Sequence, residues 1–170
     1  MYRDVLEVAK SMYRMSMADS ALRLRYLYLS VTGRLLEVSD KSSDFCGRLC
    51  TDLTYGVFRY ALVTASYLDL RRRGVDVSAL RYEDLVARPL DICRVVLDFC
   101  HLPASLAELA VRAFDVDSQR NSTLAKSIVG RFKEPQLTPQ RKTKLNEILI
   151  KYGVPCIGES DILEGTLSCS

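Results

Sequence analysis

Apolar residues recur at helical spacing through the first half of the chain. Segments 3–17, 19–38 and 43–73 carry apolar positions three and four residues apart, which predicts three helices. Within the second segment, SALRLRYLYLSV alternates like a strand, but the flanking RLLEVSD favours helix. The third segment ends in RRRG at residues 71–74, which supplies the basic residues and glycine typical of a helix C-terminus.

The second half begins with a short strand, predicted at 77–81 and ending at Tyr82. Helices are predicted from Pro89 to about residue 101, at 104–114, and from Thr138-Pro139 to near Tyr152. The first of these should turn five residues inward: Leu90, Cys93, Val96, Leu97 and Cys100. Residues 115–136 form a long polar connection, and residues 154–170 a loosely ordered tail.

Composition fits one globular domain of mildly basic charge. The chain has 170 residues, 48% of them hydrophobic, and a net charge of +3. This charge permits an anionic ligand, but acidic residues are spread among the basic ones, so no nucleic-acid partner is predicted. Charged residues run through 1–17, where a signal peptide would need an apolar core. No run reaches the roughly 18 apolar residues of a membrane span.

The cysteine and histidine pattern does not predict a metal site. The six cysteines include no CxxC pair and only one histidine is present, so we favour reduced structural thiols over a zinc site or a disulfide framework. His101 follows a predicted helix, where it can favour the helix dipole or bond a last carbonyl group. We prefer that interpretation to a catalytic role.

Two residues near the start could hold an anion. Arg3 and Ser11 are eight positions apart, a little over two helical turns, so they project from similar sides of the first helix. An arginine just before the helix could contact a phosphate with two N–H groups, and the serine hydroxyl could donate to the same anion. An exposed arginine and a solvated serine on one face remain the alternative.

Two later segments could complete a ligand site. RYEDL, residues 81–85, places Tyr82 at the end of the predicted strand, where its ring could pack on a purine base. Glu83 and Asp84 could instead cap the next helix. The loop 117–133 brings cations, among them Arg131 and Lys133, beside several hydroxyl groups, so it could fold over an anion or remain a plain solvated loop.

Taken in order, these segments resemble the C-terminal part of a sulfotransferase that uses 3′-phosphoadenosine-5′-phosphosulfate. YRDVLEVAKS is similar to the family element that binds the 3′-phosphate, which implies that role for Arg3 and Ser11. ALRYEDLVARPLDICRVVLDFCHLP resembles the element whose tyrosine lies near the adenine, which points to Tyr82. SIVGRFKEPQLTP resembles the late loop that closes on the cofactor, with Arg131 and Lys133 as its candidate contacts.

The resemblance implies an α/β parent fold with a P-loop-like phosphate loop, of which this chain would be a mostly helical portion with one or two short parallel strands. Residues 1–153 would be the C-terminal part of that domain. The loop that grips the 5′-phosphosulfate, usually with Lys, Gly and Ser or Thr, has no match in the sequence, and no catalytic base is identified. We therefore expect the chain to be a portion of a larger enzyme.

The implied activity is transfer of a sulfuryl group from that nucleotide to a hydroxyl or amine acceptor, weak or absent in this chain alone. The acceptor stays open, as does the compartment: cytoplasmic on this chain alone, or Golgi lumen if a membrane anchor is missing. Exposed apolar helix faces would favour self-association. A non-enzymatic helical interaction module is the alternative; a kinase of the P-loop class would need GxxxxGK[ST], which is not present.

Overall fold

The fold is known from a computed structural model, which describes residues 1–18, 53–115, 126–159 and 162–168. This part of the chain is mostly helical, which confirms the helical part of the prediction. Numbered in chain order, the helices are α1 (Val5–Ala18), α2 (Thr54–Arg72), α3 (Tyr82–Ala87), α4 (Pro89–Phe99), α5 (Ala107–Arg112), α6 (Lys126–Val129) and α7 (Pro139–Lys151). None of them is both long enough and apolar enough to cross a bilayer.

The chain divides into two compact units. Unit 1 comprises Met1–Asp4, Ser66–Ser118 and Ser160–Ser170, whereas unit 2 comprises Val5–Ala65 and Gln119–Glu159. Predicted helix 19–38, residues 43–52 of the third helix and residues 116–125 of the polar connection lie outside the described residues.

Three extended segments meet side by side in unit 1. Tyr2 forms a parallel bridge with Arg81, and Ala79 forms a parallel bridge with Thr166. The segments are joined by isolated bridges rather than by a continuous strand ladder, so the prediction of a strand at 77–81 is wrong for the described structure. Both bridges are parallel, which is the direction that the sequence analysis expected for the short strands. Pairing cannot continue past Arg81, because α3 begins at the next residue.

The segment 162–168 differs from the loosely ordered tail that the sequence predicts. Ala79 N–H donates to the Gly165 carbonyl at 3.1 Å, and Leu167 N–H donates to the Ala79 carbonyl at 2.8 Å. Tyr67 Oη also donates to the Glu164 carbonyl at 2.6 Å. Composition alone missed these contacts, because backbone pairing leaves no periodic signature in so short a segment.

Unit 1 has a small apolar core between α3, α4 and α5. Its buried members are Leu85, Ile92, Cys93 and Ala107, and Leu90, Val96 and Leu97 pack partly against them. Cys100 is exposed, so its predicted inward orientation is wrong. It lies beyond the last residue of α4, where the helical periodicity no longer determines which way a side chain faces.

The end of α4 explains the position of His101. Its N–H donates to the Asp98 carbonyl, and Leu102 N–H donates to the Leu97 carbonyl, which together form a Schellman cap. His101 takes the left-handed position of that cap with a φ of 55°, where glycine is usual. Gly74 after α2 and Gly153 after α7 take the same position, as the sequence predicts for both glycines.

In unit 2, α1 and α2 approach closely at two small residues. A Cβ atom placed on Gly56 would lie 2.4 Å from the Ala9 Cα atom, and Ala9 is fully buried. Phe58 packs edge-to-face with Tyr152 at a centroid distance of 5.8 Å. The Thr138 hydroxyl caps α7 by accepting from Arg141 N–H at 3.3 Å, and Pro139 follows at the start of that helix, so the predicted start of this helix is confirmed.

Candidate functional site

The bridge between Tyr2 and Arg81 positions the candidate site in unit 1. Tyr2 N–H donates to the Leu80 carbonyl, and Tyr82 N–H donates to the Tyr2 carbonyl, both at 2.8 Å. The two bonds lock the backbone register on either side of Arg81. Arg3 and Tyr82, the residues that follow the two bridge partners, are therefore held next to each other although 79 positions separate them in sequence.

Arg3 lies over the aromatic ring of Tyr82. The guanidinium carbon is 4.3 Å from the ring centroid, which is a cation–π distance. Both side chains are partly accessible, and the Arg3 side chain is 36% exposed. The flat guanidinium covers the ring and retains further N–H groups at its edge, so it could still donate to an anion.

Glu83 lies beside this pair and contacts three groups. Its Oε1 is 3.9 Å from Arg3 Nε and accepts from the backbone N–H of Asp4 at 3.3 Å. Its Oε2 is 3.7 Å from Arg81 Nε. Sequence analysis left open whether Glu83 caps the following helix. The residue at the N-cap of α3 is Arg81, which makes no side-chain capping bond, and Glu83 instead orients two arginines.

The carboxylates beside Arg3 and Arg81 limit how strongly this site can attract an anion. Arg81 Nη1 also lies 3.8 Å from Asp84 Oδ1, so two guanidinium groups face two carboxylates of α3. An incoming anion would meet Arg3 with Glu83 already beside it. Binding would therefore depend on the N–H groups of Arg3 that point away from Glu83 and on stacking against Tyr82.

The other predicted site residues belong to unit 2. Ser11 is half-buried on α1, whereas Arg131 and Lys133 are exposed in the segment that follows α6. Arg131 Nε donates to the Ser127 carbonyl at 3.0 Å, which leaves its two Nη groups for other contacts. Unit 1 thus holds Arg3 and Tyr82 together, and unit 2 holds the other three residues.

Sequence analysis missed Glu134, which joins the segment after α6 to α1 through ion pairs. Glu134 forms ion pairs with Lys10 Nζ at 3.6 Å and with Arg14 Nη1 at 3.1 Å. Lys10 also donates to Glu7 at 2.7 Å, and this bond together with the neighbouring Glu134 raises the pKa of Lys10. Two cations four positions apart on α1 were the available signal, because that spacing puts them on one helix face.

The described residues contain no group of three or more histidine, cysteine, aspartate or glutamate side chains arranged to hold a metal ion. A scan against protein-family models, a search of curated proteins and a search of solved structures gave no match for this chain.

Proposed function

We propose that the chain binds the adenosine 3′,5′-bisphosphate part of 3′-phosphoadenosine-5′-phosphosulfate, as a sulfotransferase-like protein of the α/β, P-loop-like parent fold. The observation that supports this most is the 4.3 Å stacking of Arg3 on Tyr82. These are the two residues that the family resemblance assigns to the 3′-phosphate and the adenine, and they come from distant parts of the sequence. The backbone bridge between Tyr2 and Arg81 brings these two residues together.

Each residue has a distinct part in this proposal. The Arg3 guanidinium donates from its outer edge to the 3′-phosphate, while the Tyr82 ring supports the purine. In unit 2, the family resemblance implies contacts to the cofactor for Ser11, Arg131 and Lys133. Because these contacts are largely electrostatic and half-exposed, the affinity should fall as the salt concentration rises.

The proposed reaction is transfer of the sulfuryl group to a hydroxyl or amine. The acceptor atom attacks sulfur, the bond between sulfur and the 5′-phosphate oxygen breaks, and the electron pair leaves with the nucleotide bisphosphate. The acceptor loses its proton to a base that we do not assign. Positioning and cations that stabilise the leaving group would supply the catalysis, as in phosphoryl transfer. We expect turnover by this chain alone to be weak or absent, which an assay with labelled sulfate would test.

Calorimetry with adenosine 3′,5′-bisphosphate tests the binding step directly. We expect saturable binding that weakens at least tenfold in Arg3→Ala and in Tyr82→Ala, because each removes one of the stacked partners. Tyr82→Phe keeps the ring and should bind like the unaltered chain. Arg94→Ala is a matched control, since Arg94 is an exposed arginine of unit 1 that pairs with Asp91 on α4. Equal affinity of all variants, or no binding, would contradict the proposal.

One observation favours the alternative, a non-enzymatic helical interaction module. Large apolar side chains are exposed along the stretch of unit 1 from the end of α4 to just beyond α5: Phe99, Leu102, Leu106, Leu109 and Phe114. Contiguous exposed apolar surface commonly marks a contact with another protein. Capture of a partner, or self-association in sedimentation experiments, that is independent of the nucleotide and lost on Leu109→Ser would favour this second function.

A further inference from the structure

Tyr2 takes part in two sets of contacts within unit 1. Its backbone N–H and carbonyl groups form the two bonds of the bridge that holds Arg3 next to Tyr82. Its phenol hydroxyl instead contacts segment 162–168, which pairs with the opposite side of the central extended segment. One residue therefore joins the candidate site to a segment that comes from the far end of the sequence.

Three hydrogen bonds close a ring between Tyr2 and this segment, and their directions are fixed. Leu163 N–H donates to Tyr2 Oη at 3.3 Å, and Thr166 Oγ1 donates to the Leu163 carbonyl at 2.6 Å. A threonine hydroxyl has one proton, so Thr166 accepts from Tyr2 Oη, which lies 2.9 Å away. Removing the Tyr2 hydroxyl would leave Leu163 N–H without this acceptor and Thr166 without this donor.

The position of segment 162–168 also depends on a close approach at Gly165. A Cβ atom on this residue would lie 2.7 Å from the Arg71 guanidinium carbon and 2.9 Å from Tyr67 Oη. Both groups are held in place, because Arg71 Nη1 donates to the Val77 carbonyl at 3.0 Å and the Tyr67 hydroxyl donates to the segment itself. Gly165 also has a φ of 75°, which a β-branched residue rarely adopts. Gly165→Val should therefore dislodge the segment.

We propose that Tyr2 is a positioning residue, through which segment 162–168 holds Arg3 over the Tyr82 ring for nucleotide binding. The segment fixes the phenol of Tyr2, the backbone of Tyr2 forms the bridge, and the bridge fixes the next residue, Arg3. This inference rests on the proposed function, since the ligand is adenosine 3′,5′-bisphosphate. Release of the segment would leave fewer molecules with the stacked pair in place, and the apparent affinity falls in proportion to that fraction.

Calorimetry with adenosine 3′,5′-bisphosphate on full-length variants tests this role. We expect binding to weaken about tenfold or more in Gly165→Val, which cannot seat the segment. Tyr2→Phe and Thr166→Val should each weaken it about threefold to fivefold, the factor that one lost hydrogen bond gives. Thr166→Ser keeps the hydroxyl and should bind like the unaltered chain. Ile162→Ser is a matched control, because Ile162 belongs to the same segment and is 65% exposed.

Hydrogen exchange on the unaltered chain gives a second measurement that needs no variant. Coupling between two sites is reciprocal, so the bound nucleotide should in turn stabilise the docked segment. The Leu167 amide donates to the Ala79 carbonyl and reports on docking. The Cys100 amide donates to the Val96 carbonyl at the end of α4 and serves as the control within unit 1. We expect saturating nucleotide to slow exchange at Leu167 by a factor about threefold larger than at Cys100.

The outcomes separate this inference from the proposed function. Equal affinities of the unaltered chain, Gly165→Val and Tyr2→Phe would overturn the positioning role and leave the nucleotide site standing. Equal slowing of exchange at Leu167 and Cys100 would also overturn it, even if a variant does not fold. If the unaltered chain does not bind the nucleotide, the proposed function fails and this inference fails with it.

Discussion

The contact between Gly56 and Ala9 leads to a sharp prediction about stability. An alanine at position 56 would place its Cβ atom 2.4 Å from the Ala9 Cα atom and 3.0 Å from the Ala9 carbonyl oxygen. Ordinary contacts of a Cβ atom are 3.4–4 Å long. Because the clash involves backbone atoms of α1, no side-chain rotation can relieve it, and the two helices must move apart.

The expected cost follows from two opposing effects. Overpacking of a buried site typically costs about 1–3 kcal/mol, and a clash with backbone belongs near the upper end of that range. Replacing a glycine inside a helix by alanine gains about 1 kcal/mol of helix propensity. The difference predicts that Gly56→Ala lowers the free energy of unfolding by about 2 kcal/mol, or roughly thirtyfold in the folding equilibrium.

Urea denaturation followed by circular dichroism measures this change, with the slope of the transition as a check on two-state behaviour. Ala9→Gly completes a double-mutant cycle. In the double variant the Cβ atom at position 56 would still clash with the Cα atom of residue 9, so we expect Ala9→Gly to restore only part of the lost stability. A Gly56→Ala variant that is about 1 kcal/mol more stable than the unaltered chain would refute the close approach, since helix propensity alone would then account for the result.

Three further predictions concern caps and charge. His101→Gly should stabilise the fold by about 0.5–1 kcal/mol in the same denaturation assay, because His101 has the positive φ that Gly153 has after α7; unchanged or lower stability would contradict this. Thr138→Ala should cost about 1 kcal/mol by removing the N-cap bond, and Thr138→Ser should not; equal effects would argue against capping. The pKa of Lys10 is raised in the folded state, mainly by its hydrogen bond to Glu7, so the stability that this bond contributes is fully present below pH 10.5 and is lost as the pH rises through the raised pKa. Lys10→Met should remove that part of the loss of stability at alkaline pH, and identical pH profiles of the variant and the unaltered chain would contradict the assignment.

Local signals accounted for the parts of the fold that neighbouring residues control. The start of α7 at Thr138 and Pro139, the start of α4 at Pro89 and the turn at Gly74 agree with the sequence pattern. Each depends on hydrogen bonds or backbone angles within four or five positions. The same reasoning failed for Cys100, because the inward stripe was extended past the point where the helix ends.

The candidate site shows where such reasoning stops. Family resemblance related Arg3 and Tyr82 to one ligand, but no periodicity in either segment could have paired them or revealed Glu83 as their neighbour. That arrangement follows from the bridge between Tyr2 and Arg81, whose partners are 79 positions apart.

Sequence alone therefore determined the helical character of the chain, the helix ends that have local caps and the residue types available for an anion. The tertiary structure determined which of those residues meet, how Glu83 is shared between two arginines, and that segment 162–168 pairs with Ala79. The physical reason is that capping and periodicity act over a few residues, whereas backbone pairing and ion pairs between distant segments depend on how the whole chain packs.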